Sequence, residues 1–197
     1  MAARVIALTG AIGSGKSTVL KIAAQQPGVV VVSADALVHQ ILADPTHPVV
    51  QSIAQAFGAD LVGPTGVDRR SLGQRVLGDD VARKKLEGWI HPAVRSLMLE
   101  RISQAMDTAA AIVVEVPLLF ETGMHQMFAE SWAVVADASV RQSRVHDRDG
   151  LSAQEFATRN GLQVDDATRM RLATHLIHNQ GDLDQLRRRV LELLALK

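Results

Sequence analysis

Apolar residues gather in four short runs, at 4–9, 29–33, 111–116 and 132–136, each rich in Val, Ile or Ala and with little alternation. That texture predicts strands of a parallel sheet covered on both faces. A weaker run at 175–178 is a fifth candidate. Between the runs the apolar spacing becomes helical, over 16–25, 36–43 and 139–148. A last helix, 182–196, carries Leu183, Leu186, Val190, Leu193 and Leu194 on one face. Strands alternating with helices predict an α/β fold in three layers, with a parallel sheet between helices and right-handed crossovers.

The stretch from 36 to 110 is longer than one crossover needs. Much of it reads as helix, including 81–106 with a break at Pro92. Residues 58–66 carry Pro64 and three glycines and read as loop. The chain thus reads as one domain, 1–197, with a helical substrate-binding insertion at about 60–110. A polar helical stretch from Arg141 to Arg171 suggests a small lid, at about 141–165.

Composition narrows the function classes. A hydrophobic share of 47% supports a folded core and excludes disorder. Lys+Arg and Asp+Glu both number 21, which argues against a general nucleic-acid or polybasic membrane surface. With no cysteine there is no disulfide or thiolate metal site, as fits a reducing compartment. The apolar run from Val5 to Leu8 is too short for a signal peptide, and no run is long enough to span a bilayer. The expectation is a cytoplasmic protein with no membrane, nucleic-acid or obligate protein partner.

The strongest local signal is Gly10-Ala11-Ile12-Gly13-Ser14-Gly15-Lys16-Ser17, followed by Thr18. It fits G-x-x-x-x-G-K-[ST] between a buried strand and a helix. Backbone N–H groups over Gly13, Ser14, Gly15, Lys16, Ser17 and Thr18, together with the positive helix end, suit phosphate oxygens. Lys16 would reach the β- and γ-phosphates of ATP, and the Ser17 hydroxyl would meet Mg²⁺. The motif alone does not separate a kinase from a GTPase or an ATPase motor.

Asp35 follows the second strand, where a parallel sheet presents its ligand crevice. It either takes or orients the proton of an attacking hydroxyl, or caps the helix at 36–43. Glu115 and Glu121, around the end of the third strand, are either Mg²⁺-supporting acids or ordinary polar positions. Arg141, Arg144 and Arg148 share helical spacing, and either close on phosphates or line a solvated face. Arg187, Arg188 and Arg189 read as surface of the last helix. The seven histidines contain no H-x-x-x-H pair, which makes zinc an unfavoured reading. His91, before Pro92, either binds substrate or caps a helix end.

Taken together, these segments resemble the dephospho-coenzyme A kinases over most of the chain. The resemblance is carried by residues 7–18, Ser33-Ala34-Asp35, Asp68-Arg69-Arg70-Ser71-Leu72, Ile90-His91-Pro92 and Val116-Pro117-Leu118-Leu119-Phe120-Glu121. Arg144, Arg148-Asp149-Gly150-Leu151 and Ile177-His178-Asn179 complete the order. It implies a P-loop kinase core with a coenzyme-binding insertion and a lid. The implied reaction is Mg·ATP plus dephospho-coenzyme A giving ADP plus coenzyme A, by phosphorylation of the ribose 3′-hydroxyl. Under the resemblance Asp35 is the base or acceptor-orienting group. Arg144 and Arg148 are lid groups near ATP, while His91, Pro117 and Leu118 line the acceptor site.

Several positions depart from that family's pattern. Ala11 stands where glycine is usual, Ser33 replaces a frequent aspartate, His39 a frequent arginine, and Arg141 a glutamine. Residues 173–176 lack the acids common there. These departures bear on acceptor choice more than on reaction type. One rival reading is a kinase for another acceptor, such as a nucleoside monophosphate. The other is a GTP-binding switch, but the chain has no N-K-x-D, since Asn160 and Asn179 are followed by Gly161 and Gln180.

Overall fold

The computed structural model describes residues 3–195, and the chain divides into two units. In chain order the elements open with β1 (Arg4–Gly10), α1 (Lys16–Ala24), β2 (Val29–Ser33), α2 (Ala34–Ala43) and α3 (Pro48–Phe57). Then come β3 (Val62–Gly63), β4 (Gly66–Val67), α4 (Arg69–Val76), α5 (Asp80–Ala105), β5 (Ala111–Glu115) and β6 (Glu130–Val135). The chain continues through α6 (Ala138–Asp149), α7 (Ala153–Gly161), α8 (Asp166–Leu172), β7 (His175–His178) and α9 (Leu183–Ala195).

One unit takes the chain up to Val32 and again from Gln104. Its sheet has the order β2-β5-β1-β6-β7. β1 pairs in parallel with β5, Arg4 opposite Ala111 through Leu8 opposite Glu115, and with β6, Ile6 opposite Glu130 through Gly10 opposite Val134. β6 pairs in parallel with β7. Ile6, Leu8, Val113, Trp132, Val134 and Ile177 point to one face and pack with Val19 and Ile22 of α1 and Leu186, Val190 and Leu193 of α9. The alternate set, Ala7, Ile112, Val114 and Ala133, is directed to the other face and is fully buried too. Burial on both faces explains why these strands read as unbroken apolar runs rather than alternating ones.

All five predicted strands form. The fourth starts earlier than its apolar run because polar Glu130 has work within the sheet. Its carboxylate accepts from Arg4 Nη2 at 2.9 Å to each oxygen and from Trp132 Nε1 at 2.7 Å. Arg4 Nη1 also reaches the carbonyls of Leu193 at 3.3 Å and Leu194 at 3.1 Å, closing the end of α9 against the sheet. The predicted residue 196 of the last helix lies outside the described residues.

The second unit is Ser33–Ser103. Two expectations fail here. The stretch 58–66 is not plain loop: it forms a 3₁₀ turn at Ala59–Leu61 and the antiparallel β3–β4 hairpin. Gly66 permits it, because its φ of 96° is left-handed. Nor does Pro92 break α5, which runs through it. An internal proline costs about 3 kcal/mol. Val94 and Met98 beyond it are buried, and Trp89 before it meets Phe57 edge-on at 5.9 Å. Burial of such side chains contributes about 1.5–3 kcal/mol each, enough to carry the helix across the missing hydrogen bond. Asp68 caps α4, accepting from Arg70 N at 3.0 Å and Ser71 N at 3.1 Å.

Candidate functional site

The connection between β1 and α1 turns on two glycines in the left-handed region, Gly13 at φ 77° and Gly15 at φ 97°. A Cβ at Gly13 would lie 2.5 Å from the Arg141 carbonyl oxygen and 2.9 Å from Val145 Cγ2. One at Gly15 would collide with Asn179 Nδ2. Neighbouring elements therefore press directly on the backbone of the loop. Gly15 stands at the N-cap of α1, where no side chain caps the helix and no acid occupies the first turn. The positive end of the helix dipole is left for an anion.

Within the loop, Ser14 N donates to Ala11 O at 3.1 Å and Thr18 N to Gly15 O at 3.0 Å, so these two amides serve turn bonds here. Lys16 Nζ donates to the carbonyls of Gly10 at 2.8 Å and Ala11 at 3.3 Å. Its ammonium thus lies back over the loop. Ser17, in the first turn of α1, is exposed.

Around this loop the first unit gathers residues from far along the chain. Asn179, just past β7, donates from Nδ2 to Ser14 O at 2.8 Å and accepts from Arg144 Nη2 at 3.3 Å. Ser14 Oγ and Arg144 Nη1 are both buried and without a hydrogen-bond partner. A native fold rarely leaves such groups unpaired. One hydroxyl and one guanidinium nitrogen with spare donors, on residues joined through Asn179 beside an uncapped helix N-terminus, fit the oxygens of a phosphate.

The other predicted residues fall differently. Arg148 is exposed on α6 and paired with its neighbour Asp149 at 2.6 Å, which raises the guanidinium and lowers the carboxyl from their ordinary pKa values. Arg141 corrects the expectation of a solvated face: it is 2% exposed. Its guanidinium is drawn inward by Asp166, at 2.9 Å, and Asn160, at 2.6 Å. Glu121 accepts from Val164 N at 2.9 Å and lies 3.9 Å from buried Arg169, so its carboxylate ties the segment before α8 to the loop after β5. Burial pulls the Arg169 guanidinium below its ordinary pKa, with Asp166 and Glu121 opposing. Glu115 is buried at the end of β5. Pro117 O accepts from Thr9 Oγ1 at 3.3 Å, and Leu118 beside it is exposed.

Asp35 and His91 belong to the second unit. Asp35 does not cap α2, because Ser33 takes that place with an extended backbone and its Oγ accepting from Ala36 N at 3.4 Å. Asp35 sits exposed in the first helical turn, complementing the dipole. His91 is exposed in the interior of α5 and caps no helix end. His39 Nδ1 lies 2.7 Å from Arg69 Nη1.

Sequence reading gave no role to Asn160, Gln163, Asp166 or Arg169. They are polar residues in a polar stretch, and their partners lie up to 151 positions away. Among the described residues no group of three or more His, Cys, Asp or Glu side chains is placed to hold a metal, and no helix is long and apolar enough to cross a membrane.

Comparison with known proteins agrees with this geometry. The family model described as dephospho-CoA kinase matches residues 4–185. A dephospho-CoA kinase of Symbiobacterium thermophilum is 40% identical over 189 residues, covering 95% of this chain and 78% of the relative. The crystal structure of TT1252 from Thermus thermophilus superposes with a TM-score of 0.81 at 32% identity, covering 99% of this chain and 98% of that one. A dephospho-CoA kinase from Campylobacter jejuni superposes with a TM-score of 0.68 at 25% identity, covering 97% and 95%. With the phosphate loop, the parallel sheet and a family match over nearly its whole length, the chain belongs to the dephospho-CoA kinase family.

Proposed function

We propose that this chain transfers the γ-phosphoryl group of ATP to the ribose 3′-hydroxyl of dephospho-coenzyme A, releasing ADP and coenzyme A, the last step of coenzyme A biosynthesis. The observation that carries the nucleotide half is the uncapped start of α1, with Lys16, Ser14 Oγ and Arg144 Nη1 around it. Family membership carries the acceptor half.

In the transfer, the acceptor oxygen forms a bond to the γ-phosphorus as the bond to the β–γ bridging oxygen breaks. ADP leaves with that electron pair, and the hydroxyl proton passes to a base. The chain contributes mainly position and charge. The loop amides that serve no turn bond, at Gly13, Gly15, Lys16 and Ser17, and the Lys16 ammonium hold the β- and γ-phosphates. Arg144 brings guanidinium donors to the same oxygens. Arg148 joins it by exchanging Asp149 for a phosphate, as part of a lid at 141–165.

Asp35 is our candidate for the base or orienting group of the acceptor. His91, Pro117 and Leu118 are our candidates for acceptor contacts, with a helical insertion at about 60–110 as the acceptor-binding part. Ser17 offers an exposed hydroxyl of the donor type Mg²⁺ takes, and Ser17 would hold the ion; when bound it neutralises charge on the phosphates. We place the protein in the cytoplasm, with ATP and dephospho-coenzyme A as its small-molecule partners.

The test is direct. Purified protein is incubated with ATP, Mg²⁺ and a panel of acceptors that includes dephospho-coenzyme A and nucleoside monophosphates, and products are read by mass spectrometry. Dephospho-coenzyme A should gain one phosphoryl group, on the ribose 3′ position. Phosphorylation of a different acceptor alone would reassign the substrate.

A further inference from the structure

Ile12 lies in the variable part of the phosphate loop, yet its backbone is held from both sides. Its N–H donates to Gln163 Oε1 at 2.8 Å, and its carbonyl oxygen accepts from Arg141 Nη1 at 3.4 Å. Every nitrogen of the buried Arg141 guanidinium is engaged. Nε donates to Ala136 O at 3.0 Å, Nη1 also to Asn160 Oδ1 at 2.6 Å, and Nη2 to Asp166 Oδ2 at 2.9 Å. The group lies 5.7 Å from the ring centre of Phe156. Asp166 accepts in turn from Arg169 Nη1 at 2.6 Å, and Arg169 Nη2 donates to Val164 O at 2.9 Å. A connected set of mostly charge-assisted bonds therefore runs through α8, α7 and α6 and ends on one residue of the loop.

We propose that Gln163 and Arg141 are positioning residues for the nucleotide. They fix the backbone at Ile12, so the phosphate loop holds its receptive shape before ATP arrives. Docking of the segment over α7 and α8 and the shaping of the loop then become one event. The physical argument is preorganisation. A loop ordered in advance spends none of the ligand's binding energy on ordering, while an unbraced loop transfers that cost to the binding step. Arg141 alone does not separate a brace on the loop from a purely structural hold on α6. Gln163 separates the two roles, because it is half-buried and its carboxamide oxygen meets the loop itself. The inference rests on the nucleotide-binding reading given above.

The closing experiment uses the full chain and the variant Gln163→Leu, which keeps side-chain bulk and loses the acceptor. ATP affinity is measured by calorimetry with Mg²⁺ and no acceptor. Steady-state kinetics and the exchange rate of the Ile12 amide in the nucleotide-free protein are measured beside it. Loss of one neutral hydrogen bond predicts ATP affinity roughly fivefold to tenfold weaker, KM for ATP raised by a similar factor and kcat within about twofold. The Ile12 amide should exchange faster, with Tm nearly unchanged. Arg141→Lys keeps the charge and loses the fork. Combined with Gln163→Leu it should add less than its separate effect, because both act on one residue. A wild-type chain that binds ATP while Gln163→Leu binds it as well or better overturns the brace alone. A wild-type chain that binds no ATP overturns the nucleotide reading and the brace with it.

Discussion

Asn179 Nδ2 donates to the backbone carbonyl of Ser14 at 2.8 Å, across 165 positions of sequence. The exit of the last strand thereby completes a loop set near the start of the chain. Asn179→Leu strips Ser14 O and Arg144 of a partner in a buried setting, where an unsatisfied polar group costs about 1–3 kcal/mol. Tm should fall, and the rise in Tm on adding ATP should shrink markedly. Differential scanning fluorimetry with and without nucleotide measures both, and an undiminished nucleotide-dependent rise would remove Asn179 from the site.

Lys16→Ala should leave the fold intact, since the bonds from its ammonium to the Gly10 and Ala11 carbonyls stay within the loop itself. Turnover should fall roughly 10²–10³-fold, the scale of losing one preorganised charge at a developing transition state. Circular dichroism and a coupled ADP-release assay check the two halves. Normal turnover would rule out the assigned phosphate contact.

Asp35→Asn preserves shape and removes the charge from an exposed helical turn. Turnover should drop about 10²–10⁴-fold, as for loss of a general base, while ATP affinity stays nearly unchanged. Collapse of ATP binding in calorimetry would make Asp35 a nucleotide or structural residue instead.

Arg169→Met should be among the most destabilising single changes in the chain. It removes the buried cation that stands 2.6 Å from Asp166 and 3.9 Å from Glu121, and leaves Asp166 with Arg141 alone at 2.9 Å. Breaking a buried charge network from one side costs about 3–5 kcal/mol. Urea unfolding of the variant reads that loss, and a change within about 0.5 kcal/mol would show the network to be ornamental.

Asp165 caps α8 through Thr168 N at 2.7 Å and Thr168 Oγ1 at 2.9 Å, and these bonds hold its carboxyl below the usual carboxylate pKa. The unfolded chain therefore binds this proton first as pH falls. The cap's contribution is complete above the unfolded value, about pH 4, and is lost as pH drops toward the depressed folded value. Asp165→Ala should lower Tm at pH 7, and the gap to wild type should narrow through pH 4 and below. A gap constant from pH 7 to pH 3 would mean that the carboxylate's charge plays no part.

The sheet and the phosphate loop were legible because their signals are local. Doubly buried strands must be apolar at successive positions, and a loop with glycines at set intervals before a helix is written in consecutive residues. The brace on Ile12 was not legible, since its partners at Arg141 and Gln163 announce themselves only once the chain is folded. Helical spacing grouped Arg141 with Arg144 and Arg148, yet Asp166, 25 positions on, turns the first of them inward. Pro92 misled because a local propensity was outvoted by burial on either side of it. Asp35 lost the capping role to Ser33, two residues earlier, a choice between two good caps that propensity cannot make.

The strand order β2-β5-β1-β6-β7 has a consequence for synthesis. Of the five strands of this sheet β1 is synthesised first, yet it occupies the centre, and both of its neighbours are encoded more than a hundred codons later. Until they emerge, the Val5–Leu8 segment has no edge to pair with and is open to wrong partners. A nascent chain halted before Ala111 should therefore aggregate, or be held by a chaperone, in a way that one released after Val135 is not.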